Sequence, residues 1–265
     1  MDFQKITIVG GVGKNGEAEK VECFELKMGD IVSIVGPTGC GKTTLINDIE
    51  LFANLNTPSK RKILIDGIPI PEDYSFDPKK HPIALISQHT NFLSDLPVNE
   101  FLTIHAMVRG TKNIEHIINE TLDFANQLTG EAINRETTMT GLSGGQTRSL
   151  LIADAVIIGN SPIILLDEIE NAGIDRSKAL SLLKKYNKMF VFVTHDPNIA
   201  LLSDFRIVMK SGSMQKLIVT SPEERLVASK LKKMDDIILH FRSLIRAGKE
   251  ISENILNENL QLLTI

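Results

Sequence analysis

Residues 36–44 fit the pattern G-x-x-x-x-G-K-[ST], which is typical of a phosphate-binding loop. The β-branched run 31–35 before them predicts a buried strand, and residues 45–51 after them predict a helix. This order places backbone N–H groups and a positive helix N-terminus against a phosphate. We expect Lys42 to reach the β- and γ-phosphates and the Thr43 hydroxyl to bind Mg²⁺. The predicted nucleotide site contains Gly36, Pro37, Thr38, Gly39, Cys40, Gly41, Lys42, Thr43 and Thr44.

Composition limits the remaining possibilities. The 265 residues allow one large domain, or a domain with an appendage, and 42% hydrophobic and 23% charged residues are typical of a globular protein. The net charge of −4 argues against a general nucleic-acid surface, without excluding a local basic patch. No run approaches the ~18 apolar residues of a membrane span, so a partner would have to supply any membrane part. Cys23 and Cys40 are too few for a disulfide framework, which points to a reducing cytoplasm.

Predicted strands alternate with predicted helices along the chain, which favours a mostly parallel sheet covered on both faces. Between about residues 91 and 160 the apolar spacing becomes helical, and Phe101, Ile104, His105 and Val108 recur at steps of three and four. We interpret that region as a helical insertion. The predicted strands are residues 3–9, 21–26, 31–35, 63–70 with a turn inside, 83–87, 162–166, 189–194, 202–210 and 214–219.

Two polar segments are predicted to be loops. Residues 10–16 are rich in glycine and look like a second phosphate loop, but no Ser or Thr follows Lys14, so a flexible hairpin connection is expected. The basic run 57–62 is expected to be solvated. His105 and His116 have no partner in the sequence that would make a metal site.

The residues after about 220 predict a separate helical hairpin, 221–265. Ser221, Pro222 and Glu224 fit a helix start with a capping box. An apolar seam follows at alternating steps of four and three, and Gly248 ends the helix. The seam can pack on the protein's own core or contact a partner, since three heptads are the lower limit for a coiled coil. Its members are Val227, Leu231, Met234, Ile238, Phe241 and Ile245.

The strand that ends in Asp167 and Glu168 supplies the second half of the predicted nucleotide site. A carboxylate at the position of Asp167 can hold Mg²⁺ through water, and Glu168 is placed to polarise the attacking water. Paired carboxylates at a strand end are common, but after a phosphate loop they favour hydrolysis of a nucleoside triphosphate.

Together with these motifs, residues 142–146, with the sequence LSGGQ, give the chain a resemblance to the ATP-binding cassette (ABC) ATPase family. The resemblance covers residues 1 to about 220. Five motifs stand in the order found in that family: the phosphate loop, Gln88, LSGGQ at 142–146, LLDE at 165–168, and the triplet 194–196.

The resemblance implies roles for further residues. Two cassettes would sandwich two ATP molecules head to tail, and the helix start formed by Ser143, Gly144, Gly145 and Gln146 would face the γ-phosphate bound by the second subunit. His195 would contact the γ-phosphate. Gln88 would reach toward Mg²⁺ and the lytic water, and Asp175 would end the loop that crosses the dimer interface.

The sequence departs from the family pattern at four places, and one is the separation of only 27 residues (195 − 168) between Glu168 and His195, which leaves a short helix between them. The interface loop 169–175 is one residue longer and more acidic, which leaves the role of Asp175 less secure. The segment 10–16 lacks the aromatic residue that stacks on adenine in the family, and Phe3 is the remaining candidate. Ser149 and Asp154 stand where transporter cassettes often carry arginine.

The sequence therefore predicts an α/β fold of the P-loop NTPase cassette type, spanning residues 1–220. It would combine a mostly parallel central sheet, an antiparallel β-subdomain, a helical insertion and the C-terminal hairpin. The predicted activity is Mg²⁺-dependent ATP hydrolysis in a dimer, most simply a homodimer. The leading interpretation is the nucleotide-binding subunit of a membrane transporter, cytoplasmic and docked on a separate transmembrane subunit near Gln88. The alternative is a soluble ABC ATPase that remodels or assembles a protein or nucleic-acid partner. Three features motivate it: the loop 169–175, the missing aromatic residue and the hairpin.

Overall fold

The computed structural model describes residues 4–70, 81–87, 90–167 and 176–261. Contacts within the chain divide it into two compact units, Met1–Val219 and Thr220–Ile265. The strands are β1 (Lys5–Val9), β2 (Cys23–Lys27), β3 (Ile31–Val35), β4 (Lys62–Ile65), β5 (Ile68–Pro69), β6 (Ile83–Ile86), β7 (Ile163–Asp167), β8 (Met189–Val193), β9 (Phe205–Lys210) and β10 (Ser213–Val219). The α-helices are α1 (Lys42–Glu50), α2 (Val98–Val108), α3 (Ile114–Leu128), α4 (Gly144–Val156), α5 (Arg176–Leu183), α6 (Pro197–Leu202), α7 (Pro222–Arg246) and α8 (Glu253–Gln261).

The described strands of the first unit form two sheets. A small antiparallel sheet has the order β2-β1-β4-β5, and a larger one has the order β10-β9-β3-β8-β7-β6. In the larger sheet the pairs from β9 to β6 are parallel, and only the edge pair β9–β10 is antiparallel. This arrangement confirms the predicted mostly parallel central sheet and the antiparallel β-subdomain.

The central strands are buried on both faces, which explains their nearly unbroken apolar sequences. Successive residues of a strand point to opposite faces, so β7 and β8 contribute side chains to two separate hydrophobic cores. Ile164, Leu166, Phe190 and Phe192 belong to the core shared with the helical insertion. The alternating residues of the same two strands join the core shared with the antiparallel sheet and α1, namely Ile163, Leu165, Met189, Val191 and Val193.

The helical insertion consists of α2, α3 and α4. The face of α2 that packs inward carries Val98, Leu102 and Ala106, each fully buried, whereas Ile104 and Val108 are exposed. The predicted helix is confirmed, and its helical period includes exposed residues because apolar side chains lie on both sides of α2. His105, which has no partner in the sequence pattern, lies 2.7 Å from Asp154 of α4, measured from Nδ1 to Oδ1.

Helix α6 was not predicted, and the strand predicted for residues 202–210 starts only at Phe205. Asp196 caps α6 by accepting hydrogen bonds from the backbone N–H groups of Asn198 and Ile199, and Pro197 stands at its first position. Asp followed by Pro is a helix-start signal that the sequence does contain.

In the second unit, Ser221 and Glu224 form the predicted capping box of α7. Helix α8 follows, so the second unit contains two helices, and their pairing as a hairpin stays a prediction. Four positions of the apolar seam on α7 are exposed in the single chain, namely Val227, Met234, Ile238 and Ile245. Of the helices in the part of the chain that the structure describes, none is long and apolar enough to cross a membrane.

Candidate nucleotide-binding site

The phosphate loop connects β3 to α1, as predicted. Gly36 (φ 151°) and Gly41 (φ 98°) adopt a backbone conformation that other residues rarely adopt. A Cβ atom on Gly36 would lie 2.4 Å from the carbonyl oxygen of Met209, and one on Gly41 would lie 2.8 Å from Cα of Gly212. Gly41 is the N-cap of α1, and no side chain caps that helix. The loop therefore needs glycine for close packing against β9 and the β9–β10 turn. It also presents a helix start without a side-chain cap.

Lys42 is the first residue of α1 and is buried. Its Nζ atom donates hydrogen bonds to the carbonyl oxygens of Gly36 (2.8 Å) and Pro37 (3.2 Å). Both acceptors are neutral, so a phosphate oxygen would form a stronger, charge-assisted hydrogen bond with the same ammonium group. Thr43 and Thr44 are exposed at the mouth of the loop.

The strand order brings several predicted site residues to one edge of the sheet. Strands β3, β8, β7 and β6 are parallel neighbours, so their carboxyl ends meet at the same edge. The phosphate loop follows β3, Asp167 is the last residue of β7, and His195 comes two residues after the end of β8. Gln88, Glu168 and Asp175 lie outside the described residues, and their roles stay predictions.

His195 is exposed between two polar residues that fix the backbone on either side of it. The Thr194 hydroxyl accepts a hydrogen bond from the backbone N–H of Asp196 (2.9 Å). The Asp196 carboxylate in turn accepts the hydrogen bonds that cap α6. This turn presents the imidazole at the edge where a nucleotide would lie.

The signature residues 142–146 form the start of α4, as the sequence predicts. The Ser143 hydroxyl accepts a hydrogen bond from the backbone N–H of Gln146 (3.3 Å). The Gln146 side chain accepts one from the backbone N–H of Ser143 (2.9 Å) and donates one to the carbonyl oxygen of Ala132 (3.2 Å). Ser143 and Gly144 are exposed, and a Cβ atom on Gly144 would meet nothing within 4 Å. The helix start is thus open to a large ligand, although its own capping box occupies it.

A buried ion-pair cluster lies behind the phosphate loop, and the sequence analysis missed it. Arg61 is fully buried, donates two hydrogen bonds to Glu19 (3.0 and 2.7 Å) and one to Asp48 of α1 (2.7 Å). It also donates to the carbonyl oxygen of Gly212 (2.9 Å). Burial by itself disfavours the charged guanidinium, but the hydrogen bonds and charges of Glu19 and Asp48 outweigh it and raise the pKa of Arg61.

The prediction that residues 57–62 form a solvated run was therefore wrong for Arg61. Ser59 is also buried and donates a hydrogen bond to Asp48 (2.7 Å). The cluster connects the segment 10–19, α1 and the β9–β10 turn, which are the three elements around the phosphate loop. No signal within the basic run distinguishes Arg61 from Lys60 or Lys62.

The residues at this edge fit a magnesium ion. Mg²⁺ prefers oxygen ligands and is usually held by one or two protein groups together with phosphate oxygens and water. The exposed Thr43 hydroxyl and the carboxylate of Asp167 supply such oxygens at the ends of neighbouring elements. In the described residues no group of three or more His, Cys, Asp and Glu side chains could hold a metal ion. Thr43 and Asp167 suit an ion whose other ligands are phosphate oxygens and water.

Comparison with known proteins agrees with this geometry. The family described as ABC transporter matches residues 21–171. An uncharacterized ABC transporter ATP-binding protein of Methanocaldococcus jannaschii is 48% identical over 95% of this chain and 96% of its own length. The spermidine/putrescine import ATP-binding protein PotA of Bacteroides fragilis is 32% identical over 82% of this chain, which spans about half (47%) of that relative.

Solved structures give the same result. A dimeric ATP-binding cassette in a post-hydrolysis state with ADP and Pi matches 82% of this chain and 99% of its own, with a TM-score of 0.62 and 26% identity. The ADP conformation of an ATP-binding cassette of an ABC transporter matches 86% of this chain with a TM-score of 0.59 and 21% identity, which supports the fold.

These matches confirm the predicted family, the predicted cassette fold and the predicted use of ATP. They also favour the transporter interpretation over the soluble alternative, because the matching relatives are ATP-binding proteins of transporters. The chain belongs to the ABC transporter family, in which it is an ATP-binding cassette that hydrolyses ATP.

Proposed function

We propose that the chain is the nucleotide-binding subunit of a membrane transporter and that it works in the cytoplasm as a head-to-tail homodimer. The observation that carries this proposal is the shared carboxyl edge of β3, β8, β7 and β6, where the phosphate loop, Asp167 and His195 meet. The named relatives include an import ATP-binding protein, which supports a transport role for this chain.

Each residue at the edge has a distinct role in this proposal. Lys42 exchanges its two carbonyl acceptors for the β- and γ-phosphate oxygens. Thr43, Asp167 and Gln88 would hold the magnesium ion, which neutralises charge that develops on the transferred phosphoryl group. Glu168 polarises the attacking water, and His195 donates a hydrogen bond to the γ-phosphate.

The second subunit completes the site. Its residues Ser143 to Gln146 would face the γ-phosphate, because the exposed start of α4 offers backbone N–H groups to an anion. Asp175 would lie at the same dimer contact. The site is then assembled only when two cassettes close on the nucleotide.

The helical insertion offers a surface for the transmembrane partner. Ile104, Met107 and Val108 lie on one face of α2, at helical spacing, and are 46, 60 and 52% exposed. Adjacent exposed apolar side chains of this kind are typical of a protein contact. This insertion surface supports docking on a transmembrane partner.

A membrane-binding assay tests the proposal. In cells of the source organism, tagged protein should sediment with membranes and co-purify with a protein that has several transmembrane spans. Met107→Glu should reduce that association, because it places a charge in the insertion surface. Leu226→Glu, on an equally exposed position of α7, is the matched control. Recovery in the soluble fraction with a soluble partner would favour the alternative, a soluble remodelling ATPase.

A further inference from the structure

The segment 10–19 stands where the family resemblance leads us to expect an aromatic residue, and hydrogen bonds connect it to its neighbours. Val12 donates a backbone hydrogen bond to Ser59 (2.7 Å), and Gly13 donates one to Glu17 (2.9 Å). The buried Glu19 carboxylate accepts from the backbone N–H groups of Gly11 (2.9 Å) and Met214 (2.6 Å). The segment is thus held by the same cluster that lies behind the phosphate loop.

Lys14 extends from this segment across the phosphate loop. Its Nζ atom donates a hydrogen bond to the carbonyl oxygen of Gly39, at 2.9 Å, and its backbone N–H donates one to the carbonyl oxygen of Ser211, at 2.9 Å. A Cβ atom on Gly212 would lie 2.8 Å from Cγ of Lys14, so the side-chain stem lies directly on that glycine. The stem therefore packs against the β9–β10 turn, and the ammonium group reaches the phosphate loop.

The ammonium group lies on the open side of the loop. Gly212 is held between Lys14 and the phosphate loop, since its backbone N–H donates to the carbonyl oxygen of Cys40 (2.8 Å). A Cβ atom on Gly39 would meet nothing within 4 Å, and the Lys14 side chain is exposed. A ligand that enters the loop can therefore reach the ammonium group without moving the backbone.

This arrangement suits the binding of an anionic ligand. The present acceptor of Lys14 is a neutral carbonyl, and a phosphate oxygen accepts a shorter and stronger hydrogen bond from the same group. An ammonium group recognises charge and has no planar face on which a base could stack. Two cations thus lie at the phosphate loop: Lys42 from α1 and Lys14 from the segment 10–19.

We propose that Lys14 is a nucleotide-binding residue that holds the phosphate chain of a nucleoside triphosphate, so that affinity depends on the phosphates and little on the base. This inference rests on the proposed function. It also explains how a cassette without an aromatic residue in the segment 10–16 retains its nucleotide.

Binding titrations with ATP, GTP and inorganic tripolyphosphate, each with Mg²⁺, test this role. Lys14→Ala should weaken binding of all three by about tenfold, because one charge-assisted hydrogen bond is lost. Lys14→Arg should restore most of the affinity, and the loss in Lys14→Ala should shrink as salt rises. Lys20→Ala removes the same charge from an exposed lysine directly after the segment and should bind like wild type.

The outcomes separate this inference from the proposed function. If wild type binds, Lys42→Ala does not, and Lys14→Ala binds like wild type, the role of Lys14 is refuted while the cassette function stands. A loss confined to ATP would also refute it, because that result means recognition of the base. If wild-type protein binds no nucleotide, both proposals fail.

Discussion

We propose that two helix starts of the chain contact phosphate, and these two starts are built differently. At α1 the N-cap is Gly41, no side chain caps the helix, and the neighbouring Lys42 is buried with two carbonyl acceptors. At α4 the N-cap is Ser143, whose hydroxyl takes part in a complete capping box with Gln146. The first start has no side-chain cap in the single chain, whereas at the second start the Ser143 hydroxyl already accepts the hydrogen bond of the Gln146 N–H.

The difference between the two helix starts suggests a way in which a cassette can separate nucleotide binding from hydrolysis. A phosphate that reaches α1 meets an uncapped helix start, so we expect one chain to bind ATP alone. A phosphate that reaches α4 competes with the Ser143 cap, so we expect that contact to form only when a second cassette brings the nucleotide close. We propose this order of events, and the following changes test each side of it.

The largest effect is expected on the α1 side. Lys42→Ala should weaken ATP binding by about a hundredfold or more, because charge-assisted hydrogen bonds to two phosphates are lost. Isothermal titration of the purified chain measures this change, and thermal unfolding of the same variant checks that the fold is retained. ATP affinity close to wild type would remove Lys42 from the site.

Arg61→Met tests whether the buried ion-pair cluster stabilises the structure around the phosphate loop and α1. This change leaves Glu19 and Asp48 buried without their cation, and we expect a loss of about 3–5 kcal/mol in the free energy of unfolding. Urea denaturation measures the loss. Lys60→Met, at the exposed neighbouring residue, is the matched control and should change stability by less than about 0.5 kcal/mol. Equal stability of the two variants would show that the cluster is dispensable.

The α4 side is tested by Ser143→Ala. Loss of the cap should reduce the free energy of unfolding by about 1 kcal/mol. ATPase activity should fall by about tenfold, since one hydrogen bond to the phosphate in the closed dimer is lost, while ATP binding to the single chain should stay unchanged.

Ser221→Ala is the matched control, because Ser221 caps α7 with the same Ser–Glu/Gln geometry. It should give a similar loss of stability with wild-type ATPase activity. If both serine variants lost activity to the same degree, the effect of Ser143 would be one of stability, and the second helix start would have no role in hydrolysis.

Contiguous motifs could be predicted from the sequence, whereas contacts between distant residues could not. The phosphate loop, the signature residues and the strand ending in Asp167 are contiguous segments, so their elements could be predicted from spacing and residue type. The partners of Arg61, Lys14 and His105 are 42, 25 and 49 residues away, at Glu19, Gly39 and Asp154. No local pattern encodes such pairs, because the strand order of the fold brings them together.

Two further features of the fold were beyond the sequence analysis for a different reason, namely the packed face of α2 and the helix α6. The apolar residues of α2 fit a helical period on more than one face, so periodicity could not tell the packed side from the exposed side. Helix α6 was missed because its six residues give too short a pattern, although its Asp–Pro start was present in the sequence.

The central claim is that two copies of this chain close on ATP, and the mass of Glu168→Gln in solution tests it directly. This change removes the carboxylate that we propose polarises water, so ATP should stay bound and hydrolysis should become very slow. Light scattering after gel filtration should show the mass of two chains with ATP and Mg²⁺ and of one chain without them. The double variant with Lys42→Ala should stay at one chain throughout. A Glu168→Gln protein that binds ATP and still has the mass of a single chain would contradict the account.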